Sequence, residues 1–193
     1  MNKLIFIILP VFLLACQHKH YTNPHILINT QFGNIEAELF PAKAPKTVAA
    51  FLSYIDSGFY TNTSFYRIVQ QEEMASANSG IIQGGLWQTN NHKLLSIPGI
   101  PHESPAQTGL SHTDGTLSLA RTTPGTANTE FFICVGDQTQ YDSSTTVNPD
   151  GLGFAAFGRV VSGMAIVRKI HDQPFTGDSF DQKINIINIT NIK

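Results

Sequence analysis

The chain has 193 residues, and its 12 basic and 14 acidic side chains leave a formal net charge of −2. This length is sufficient for one domain with a real hydrophobic core. Hydrophobic residues make up 41% of the chain and charged residues only 13%, which excludes a disordered polyelectrolyte and a coiled coil. The near-neutral charge argues against a nucleic-acid partner. The two cysteines are too few for a disulfide framework or for a zinc site built on several thiolates.

The N-terminal segment has the layout of a secretory signal. The basic Lys3 precedes an apolar run over residues 4–14, and the small Ala15 stands directly before Cys16. The run is shorter than the stretch of about 20 residues that a membrane-spanning helix needs. Residues 1–15 are therefore predicted to be a signal peptide, and no permanent transmembrane helix is expected.

The sequence Leu-Leu-Ala-Cys at residues 13–16 resembles the lipobox of bacterial lipoproteins. This resemblance implies cleavage before Cys16 and a lipid anchor on its sulfur; the alternative is an ordinary signal with an incidental cysteine. Gln17 follows the cysteine, and in such lipoproteins the absence of Asp there favours the outer membrane, facing the periplasm. Several acyl chains make such an attachment stable. Residues 16–24 are then a polar tether, and residues 25–193 the folded domain.

The first elements predicted in the domain are a β-hairpin and a helix. Residues 25–29 form a candidate strand, and residues 35–39 alternate apolar and acidic side chains, as a half-buried strand does. A helix is predicted to begin at Pro45, because a missing N–H is harmless in the first turn. Gly58 ends it. The apolar residues of this helix recur on one face, at Val48, Phe51, Leu52 and Ile55.

The remaining elements are short strands and a second helix. The helix is predicted over residues 163–170, with Ser162 as its N-cap. The last strand loses its alternation near residues 186–187, which indicates a bulge. Cys134 lies in an apolar strand and is expected to be a buried, inert thiol. The further strands are predicted over residues 64–69, 80–83, 116–120, 130–135, 154–160 and 184–192. About eight strands and two helices indicate a closed barrel with helices over its ends.

No standard catalytic motif is present in the sequence. A nucleophile elbow, paired metal ligands on a helix and a phosphate-cradling glycine loop are all absent. His18, His20 and His25 are loosely spaced and fit a solvated tail better than a metal site. His102 beside Glu103 falls in a proline-rich loop and is interpreted as surface decoration. No metal or cofactor is expected, and a metal-dependent hydrolase is the weakest hypothesis.

Four segments stand out, in this order along the chain. They are Phe-Tyr-Arg-Ile at residues 65–68, Ile-Gln-Gly-Gly at 82–85, the stretch 115–133 that ends in Glu-Phe-Phe-Ile, and Phe-Ala-Ala-Phe-Gly-Arg-Val at 154–160. Together they resemble the cyclophilin-type peptidyl-prolyl isomerases. The resemblance runs from Ile26 to the C-terminus. It implies a mainly β fold, a closed eight-stranded antiparallel barrel capped by two α-helices, with the site on its outer face. It also implies proline-containing polypeptides as partners, and a monomer is expected.

The resemblance assigns roles residue by residue. Arg67, Gln83 and Phe132 fall on the catalytic arginine, the glutamine before the paired glycines and the floor of the proline pocket. Residues that fall on substrate-binding positions are Phe65, Ile81, Ala120, Arg121, Glu130, Leu152 and Phe154.

The chemistry suits these residue types. Rotation about a peptide bond meets a barrier of about 18–20 kcal/mol, because nitrogen shares its lone pair with the carbonyl. A fixed guanidinium can donate to that nitrogen as the bond twists, with no covalent intermediate.

Two departures from the family pattern favour a second hypothesis. Gly80 stands where the family has a pocket Phe, after a longer polar stretch over residues 70–80. Glu130 replaces the usual Gln and is expected to pair with Arg67 or Arg121. The alternative is therefore a weakly active or inactive module that binds proline-bearing segments but turns them over poorly.

Overall fold

The structure is a computed structural model that describes residues 21–70, 79–144 and 149–192. The predicted signal peptide, the lipid-anchor position Cys16 and the first part of the tether lie outside these residues. The described part of the chain contains no helix that is long and apolar enough to cross a membrane.

The strands close into a barrel. Among the described residues, the strands are β1 (His25–Thr30), β2 (Gly33–Leu39), β3 (Thr63–Gln70), β4 (Gly80–Gly85), β5 (Thr116–Leu119), β6 (Phe131–Val135), β7 (Ala155–Ser162), β8 (Phe175–Thr176) and β9 (Ser179–Ile192). Eight of them form an antiparallel ring in the order β1-β2-β7-β5-β6-β4-β3-β9, and β9 pairs back to β1. The two-residue β8 forms a hairpin with β9 outside this ring. The predicted closed eight-stranded antiparallel barrel is confirmed.

Short helices cover the barrel. In the described ranges they are α1 (Pro45–Asp56), α2 (Asn91–Leu95), α3 (Pro105–Thr108) and α4 (Met164–His171), with a 3₁₀ turn at Thr139–Tyr141. The two predicted helices are α1, which packs against β7 and β9, and α4, which packs against β2, β4 and β6. Helix α4 begins at Met164, so its N-cap is Gly163 and not the predicted Ser162. This position requires glycine, because its φ is +92° and a Cβ there would lie 2.5 Å from the Asn34 carbonyl oxygen.

Two residues predicted to be solvated are buried in structural roles. Glu103 is 8% exposed, and its carboxylate accepts hydrogen bonds from the Lys46 and Thr47 amides at 3.1 and 2.8 Å. It thereby satisfies the N-terminus of α1, whose own N-cap makes no side-chain hydrogen bond. His25 is 9% exposed, and its Nδ1 lies 2.8 Å from a carboxylate oxygen of Glu36. Both predictions of a surface role are corrected by these contacts.

Aromatic rings fill the barrel interior. Phe51 of α1 and Phe65 of β3 both pack edge-on against Phe131, with centroid distances of 5.5 and 5.7 Å. Cys134 is fully buried, and burial raises the pKa of its thiol well above the usual value. The prediction that Cys134 is buried is confirmed, and the side chain packs with Ile81, Phe132 and Tyr141 in a cluster separate from the barrel interior.

A β-bulge in β3 decides which side chains face outward. Phe65 pairs with Gly84 and Arg67 pairs with Gln83, so Tyr66 is an extra residue in β3. In a regular strand Phe65 and Arg67 would share one face. The bulge instead turns Phe65 inward, where it is 0% exposed, and leaves Tyr66 and Arg67 outside. Phe65 is a core residue and cannot contact substrate, contrary to the sequence prediction.

Candidate active site

Sheet register brings the three predicted catalytic side chains into one row. Arg67 of β3 lies opposite Gln83 of β4, and Gln83 lies opposite Phe132 of β6. Residues directly opposite on adjacent strands point to the same face. All three line one groove on the outer barrel wall, with a volume of about 750 Å³.

A continuous hydrogen-bond chain runs across this groove. Arg67 Nη1 donates to Gln83 Oε1 at 3.1 Å. Gln83 Nε2 donates to the Tyr66 hydroxyl oxygen at 2.9 Å, and that hydroxyl donates to Glu130 Oε2 at 2.6 Å. Arg67 is therefore linked to the Glu130 carboxylate through the Gln83 amide and the Tyr66 phenol, and not directly.

Glu130 differs from its expected role. It was expected to pair with Arg67 or Arg121, but its carboxylate accepts from Tyr66 and from the Leu86 and Trp87 amides, at 2.6 and 3.1 Å for the two amides. Burial raises the pKa of the Glu130 carboxyl, and these hydrogen bonds oppose the rise. The two arginines have other carboxylate partners.

Asp178 is the carboxylate partner of Arg67. Arg67 Nε donates to Asp178 Oδ2 at 2.8 Å, from a hairpin 111 residues further along the chain. This hydrogen bond to Arg67 holds the pKa of Asp178 below its usual value. The two side chains are 41% and 61% exposed, so the pair restrains the guanidinium while leaving it open to the groove.

An apolar pocket lies beside the guanidinium. Phe132 is 2% exposed and forms its floor, and Ile81 is 4% exposed beside it. The rings of Phe154 and Tyr141 stand edge-on to Phe132, with centroid distances of 5.4 and 5.6 Å. These side chains form a small cluster separate from the barrel core, with Ala120 packed at its rim. The pocket has the apolar aromatic walls that suit a proline ring.

A polar network supports the pocket floor from below. The His112 ring stacks on Phe132 at 5.8 Å between centroids. Its Nδ1 lies 2.6 Å from Asp142, and its Nε2 lies 2.9 Å from the Ser118 hydroxyl. His112 and Ser118 are both 0% exposed, so this Ser-His-Asp arrangement has no access to substrate. Burial lowers the pKa of His112, opposed by Asp142, which favours the neutral imidazole.

Arg121 braces the loop at one side of the groove. Its Nη1 and Nη2 donate to the two carboxylate oxygens of Asp150 at 2.7 and 2.9 Å, and Nη2 also donates to the Gly153 carbonyl at 2.6 Å. The bond from Arg121 lowers the pKa of Asp150 to about 2. The guanidinium lies 5.5 Å from the Phe154 ring centroid. Arg121 thus lines the groove and fixes the loop that carries Phe154.

The structure does not place Leu152 at the pocket wall to which the sequence resemblance assigned it. Leu152 is 41% exposed and does not line the groove, whereas Tyr141 does. Tyr141 sits in a 3₁₀ turn and reaches the pocket because its amide bonds to Gln138 and its carbonyl accepts from the Phe154 amide, both at 2.9 Å. The wall assigned to Leu152 therefore belongs to Tyr141.

Sequence reasoning missed Tyr66, Tyr141 and Asp178. In a regular strand neighbouring side chains point to opposite faces, so the sequence alone places Tyr66 and Arg67 on different faces. The bulge in β3 brings both side chains to the groove. Asp178 has no local sequence signal, because its link to the site is made by the pairing of β3 with β9. Within the described ranges, no group of three or more His, Cys, Asp or Glu side chains is placed to hold a metal ion.

The comparisons with known proteins agree with this geometry. The family profile described as "Cyclophilin type peptidyl-prolyl cis-trans isomerase/CLD" matches residues 25–191. A peptidyl-prolyl cis-trans isomerase of Acinetobacter baylyi is 36% identical over 163 residues, which is 84% of this chain and 79% of that protein. Peptidyl-prolyl cis-trans isomerase B of Escherichia coli is 37% identical over 146 residues, which is 75% of this chain and 82% of that protein.

Solved structures show the same fold. A cyclophilin type peptidyl-prolyl cis-trans isomerase of Cryptosporidium parvum matches with a TM-score of 0.71 at 22% identity, covering 89% of this chain and 98% of its own. A structure of that protein in the presence of the dipeptide Ala-Pro matches with a TM-score of 0.69, also at 22% identity, covering 88% and 99%. With the family profile and the relatives in agreement, the chain belongs to the cyclophilin-type peptidyl-prolyl cis-trans isomerases and is an enzyme of that class.

Proposed function

We propose that Arg67 lowers the barrier to X-Pro rotation in a proline-containing polypeptide whose proline ring sits on Phe132. The observation that carries this assignment is the row of Arg67, Gln83 and Phe132 across three paired strands, with the guanidinium bonded to Gln83 at 3.1 Å. The groove therefore offers a cation to the imide nitrogen and an apolar aromatic floor to the proline ring.

Arg67 suits the twisted state of the bond. As the imide rotates, its nitrogen becomes pyramidal and its lone pair becomes a hydrogen-bond acceptor. Arginine has five N–H donors and keeps its charge at any working pH. Two of these donors are engaged by Gln83 and Asp178, and the side chain is 41% exposed, so others can reach a substrate. A donor that bonds only in the twisted state stabilises the transition state and not the ground state.

The pocket holds the proline ring while the other side of the bond turns. Phe132 provides the floor and Tyr141, Phe154 and Ile81 surround it. The structure of the Cryptosporidium parvum relative in the presence of the dipeptide Ala-Pro supports a proline ligand here. Gln83 presents its amide between pocket and guanidinium, where it can hold a neighbouring substrate carbonyl. Positioning by these residues carries the part of the rate effect that one hydrogen bond cannot.

A matched pair of arginine variants tests the assignment. Arg67→Ala is expected to lower kcat/KM for an X-Pro peptide by roughly 10²–10³-fold, as loss of a transition-state donor does in other enzymes. Arg159→Ala is the control, because Arg159 is an exposed arginine of β7 that does not line the groove. Equal activity of the two variants would overturn the role of Arg67. Peptide affinity without any rate enhancement in the wild type would favour the binding-module alternative.

Export and membrane attachment form the second part of the proposal. The Lys3 start, the short apolar run and the lipobox-like residues 13–16 support a lipid anchor on Cys16, and Gln17 supports the outer membrane, facing the periplasm. In that compartment the enzyme, acting as a monomer, would accelerate proline-limited folding of exported polypeptides.

Metabolic labelling tests the anchor. In a diderm bacterial host, wild-type protein is expected to incorporate an alkyne fatty acid and to be recovered in the outer-membrane fraction. Cys16→Ser is expected to lose both properties, while Cys134→Ser keeps them, because Cys134 is a buried strand residue of the folded domain. Labelling that survives Cys16→Ser, or a wild type without label, would overturn the anchor.

A further inference from the structure

We infer that Tyr66 is a positioning residue for the isomerisation: held by Glu130, it orients the Gln83 amide and, through it, the Arg67 guanidinium. This inference rests on the catalytic role proposed for Arg67. It concerns two residues, Tyr66 and Glu130, whose side chains meet in this groove through the bulge of β3.

The donor and acceptor chemistry allows the chain of bonds only one direction. Arg67 has donors and no acceptor, so its partner on Gln83 must be the carbonyl Oε1, at 3.1 Å. The amide Nε2 of Gln83 then faces Tyr66 and donates to its hydroxyl oxygen at 2.9 Å. The hydroxyl proton of Tyr66 is left to donate onward, to Glu130 at 2.6 Å. Each bond thus fixes the orientation of the next group.

Glu130 is a fixed terminus for this chain. It is 9% exposed, and its Oε1 accepts from the Leu86 and Trp87 amides at 2.6 and 3.1 Å. Gly85 makes room for it: φ there is +146°, and a Cβ would lie 2.3 Å from Glu130 Oε1. Its Oε2 accepts from the Tyr66 hydroxyl at 2.6 Å, so the chain of bonds ends on Glu130 as an acceptor.

The Tyr66 hydroxyl remains a donor over the working pH range. Burial and the neighbouring Glu130 raise the pKa of Tyr66 well above its usual value. Without this hydroxyl, the Gln83 amide can rotate by half a turn and present its NH₂ group to the Arg67 donors. The guanidinium then loses its Gln83 acceptor and is held beside the pocket only by its exposed ion pair with Asp178.

Kinetics of Tyr66→Phe measure this effect. The variant keeps the ring and removes one hydroxyl, so we expect kcat to fall roughly 3- to 10-fold, as for loss of one hydrogen bond, with KM within about twofold of wild type. Tyr60→Phe is the matched control. Its hydroxyl is more deeply buried than that of Tyr66 and donates to the Thr129 carbonyl at 3.0 Å, next to Glu130 but off the chain to Gln83. It is expected to lower the melting temperature and leave kcat unchanged.

A double-variant cycle separates positioning from general stabilisation. In an Arg67→Ala background, Tyr66→Phe is expected to lower kcat/KM clearly less than it does in the wild type, because the guanidinium that it helps to position is gone. The same loss in both backgrounds, or no loss in the wild type, overturns the inference while leaving the role of Arg67 intact. Full activity of Arg67→Ala alone overturns the proposed function instead.

An NMR readout applies if Arg67→Ala falls to the uncatalysed rate. The two side-chain amide protons of Gln83 are expected to be shifted and protected from exchange in the wild type and in Tyr60→Phe. In Tyr66→Phe they are expected to move to the positions of a free amide. Unchanged Gln83 signals in Tyr66→Phe would overturn the inference.

Discussion

The substitution Phe132→Leu removes the aromatic floor of the pocket. The ring contacts of Phe132 give the expected loss in the free energy of unfolding. Phe132 is 2% exposed and packs edge-on against Phe154 and Tyr141 at 5.4 and 5.6 Å. Such a ring pair is worth about 0.5–1.5 kcal/mol beyond the area it buries. Leucine loses both pairs, so the free energy of unfolding is expected to fall by about 1–3 kcal/mol.

The same substitution weakens substrate binding. A leucine leaves a gap under the proline ring equivalent to one or two buried CH₂ groups, each worth about 0.8 kcal/mol. KM for an X-Pro peptide is therefore expected to rise by roughly 4- to 15-fold. The value of kcat is expected to change less, because the hydrogen-bond chain that ends at Arg67 is carried mainly by β3 and β4.

Phe157→Leu controls for instability alone. Phe157 is 0% exposed in the barrel interior and does not line the groove. It is expected to lose comparable stability in a thermal melt, with KM unchanged in a protease-coupled isomerisation assay. An unchanged KM in Phe132→Leu, or an equal rise in Phe157→Leu, would refute the pocket assignment.

Three further predictions follow from the site and its surroundings. Tyr141→Ala is expected to raise KM by roughly 5-fold or more through lost apolar contact, while Leu152→Ala leaves KM within about twofold; the opposite result in the same assay would return the wall to Leu152. Asp178→Asn breaks an exposed ion pair with Arg67, so unfolding free energy is expected to fall by no more than about 1 kcal/mol and kcat/KM by less than about 5-fold; larger losses would contradict this. Urea unfolding is expected to show the free energy of unfolding decreasing as the pH is lowered from about 7.5 to 6. The reason is that burial lowers the pKa of three histidines in the folded protein, so the unfolded chain binds more protons. An increase in the free energy of unfolding over the same pH change would contradict this. These histidines are His102, His112 and His171.

The barrel could be predicted because its strands carry local signals. Alternating apolar residues marked the first hairpin, and Pro45 and Gly58 bracket α1 with one buried face. The bulge expected near residues 186–187 is confirmed: Ile186 is 0% exposed, Ile187 is 51% exposed, and the register with β1 shifts there. Each of these features depends on residues close in sequence.

The errors at the site come from features that sequence periodicity does not record. A one-residue bulge reverses the direction of every side chain beyond it, so Phe65 and Arg67 separate although their spacing predicts one face. The assignment of Glu130 to an arginine failed because Arg67 and Arg121 are held by Asp178 and Asp150, from distant loops. These partners depend on the closed barrel, which brings the loops to the groove.

The most direct test of the central claim is how Arg67→Ala divides its effect between catalysis and binding. Line-shape NMR on an X-Pro peptide gives the rate on the enzyme, and calorimetry gives the Kd. Since Arg67 is assigned to the twisted state alone, kcat is expected to fall by about 100-fold or more while Kd changes less than about threefold. A Kd weakened by the full loss in kcat/KM, with kcat unchanged, would contradict the account and leave Arg67 as a binding residue only.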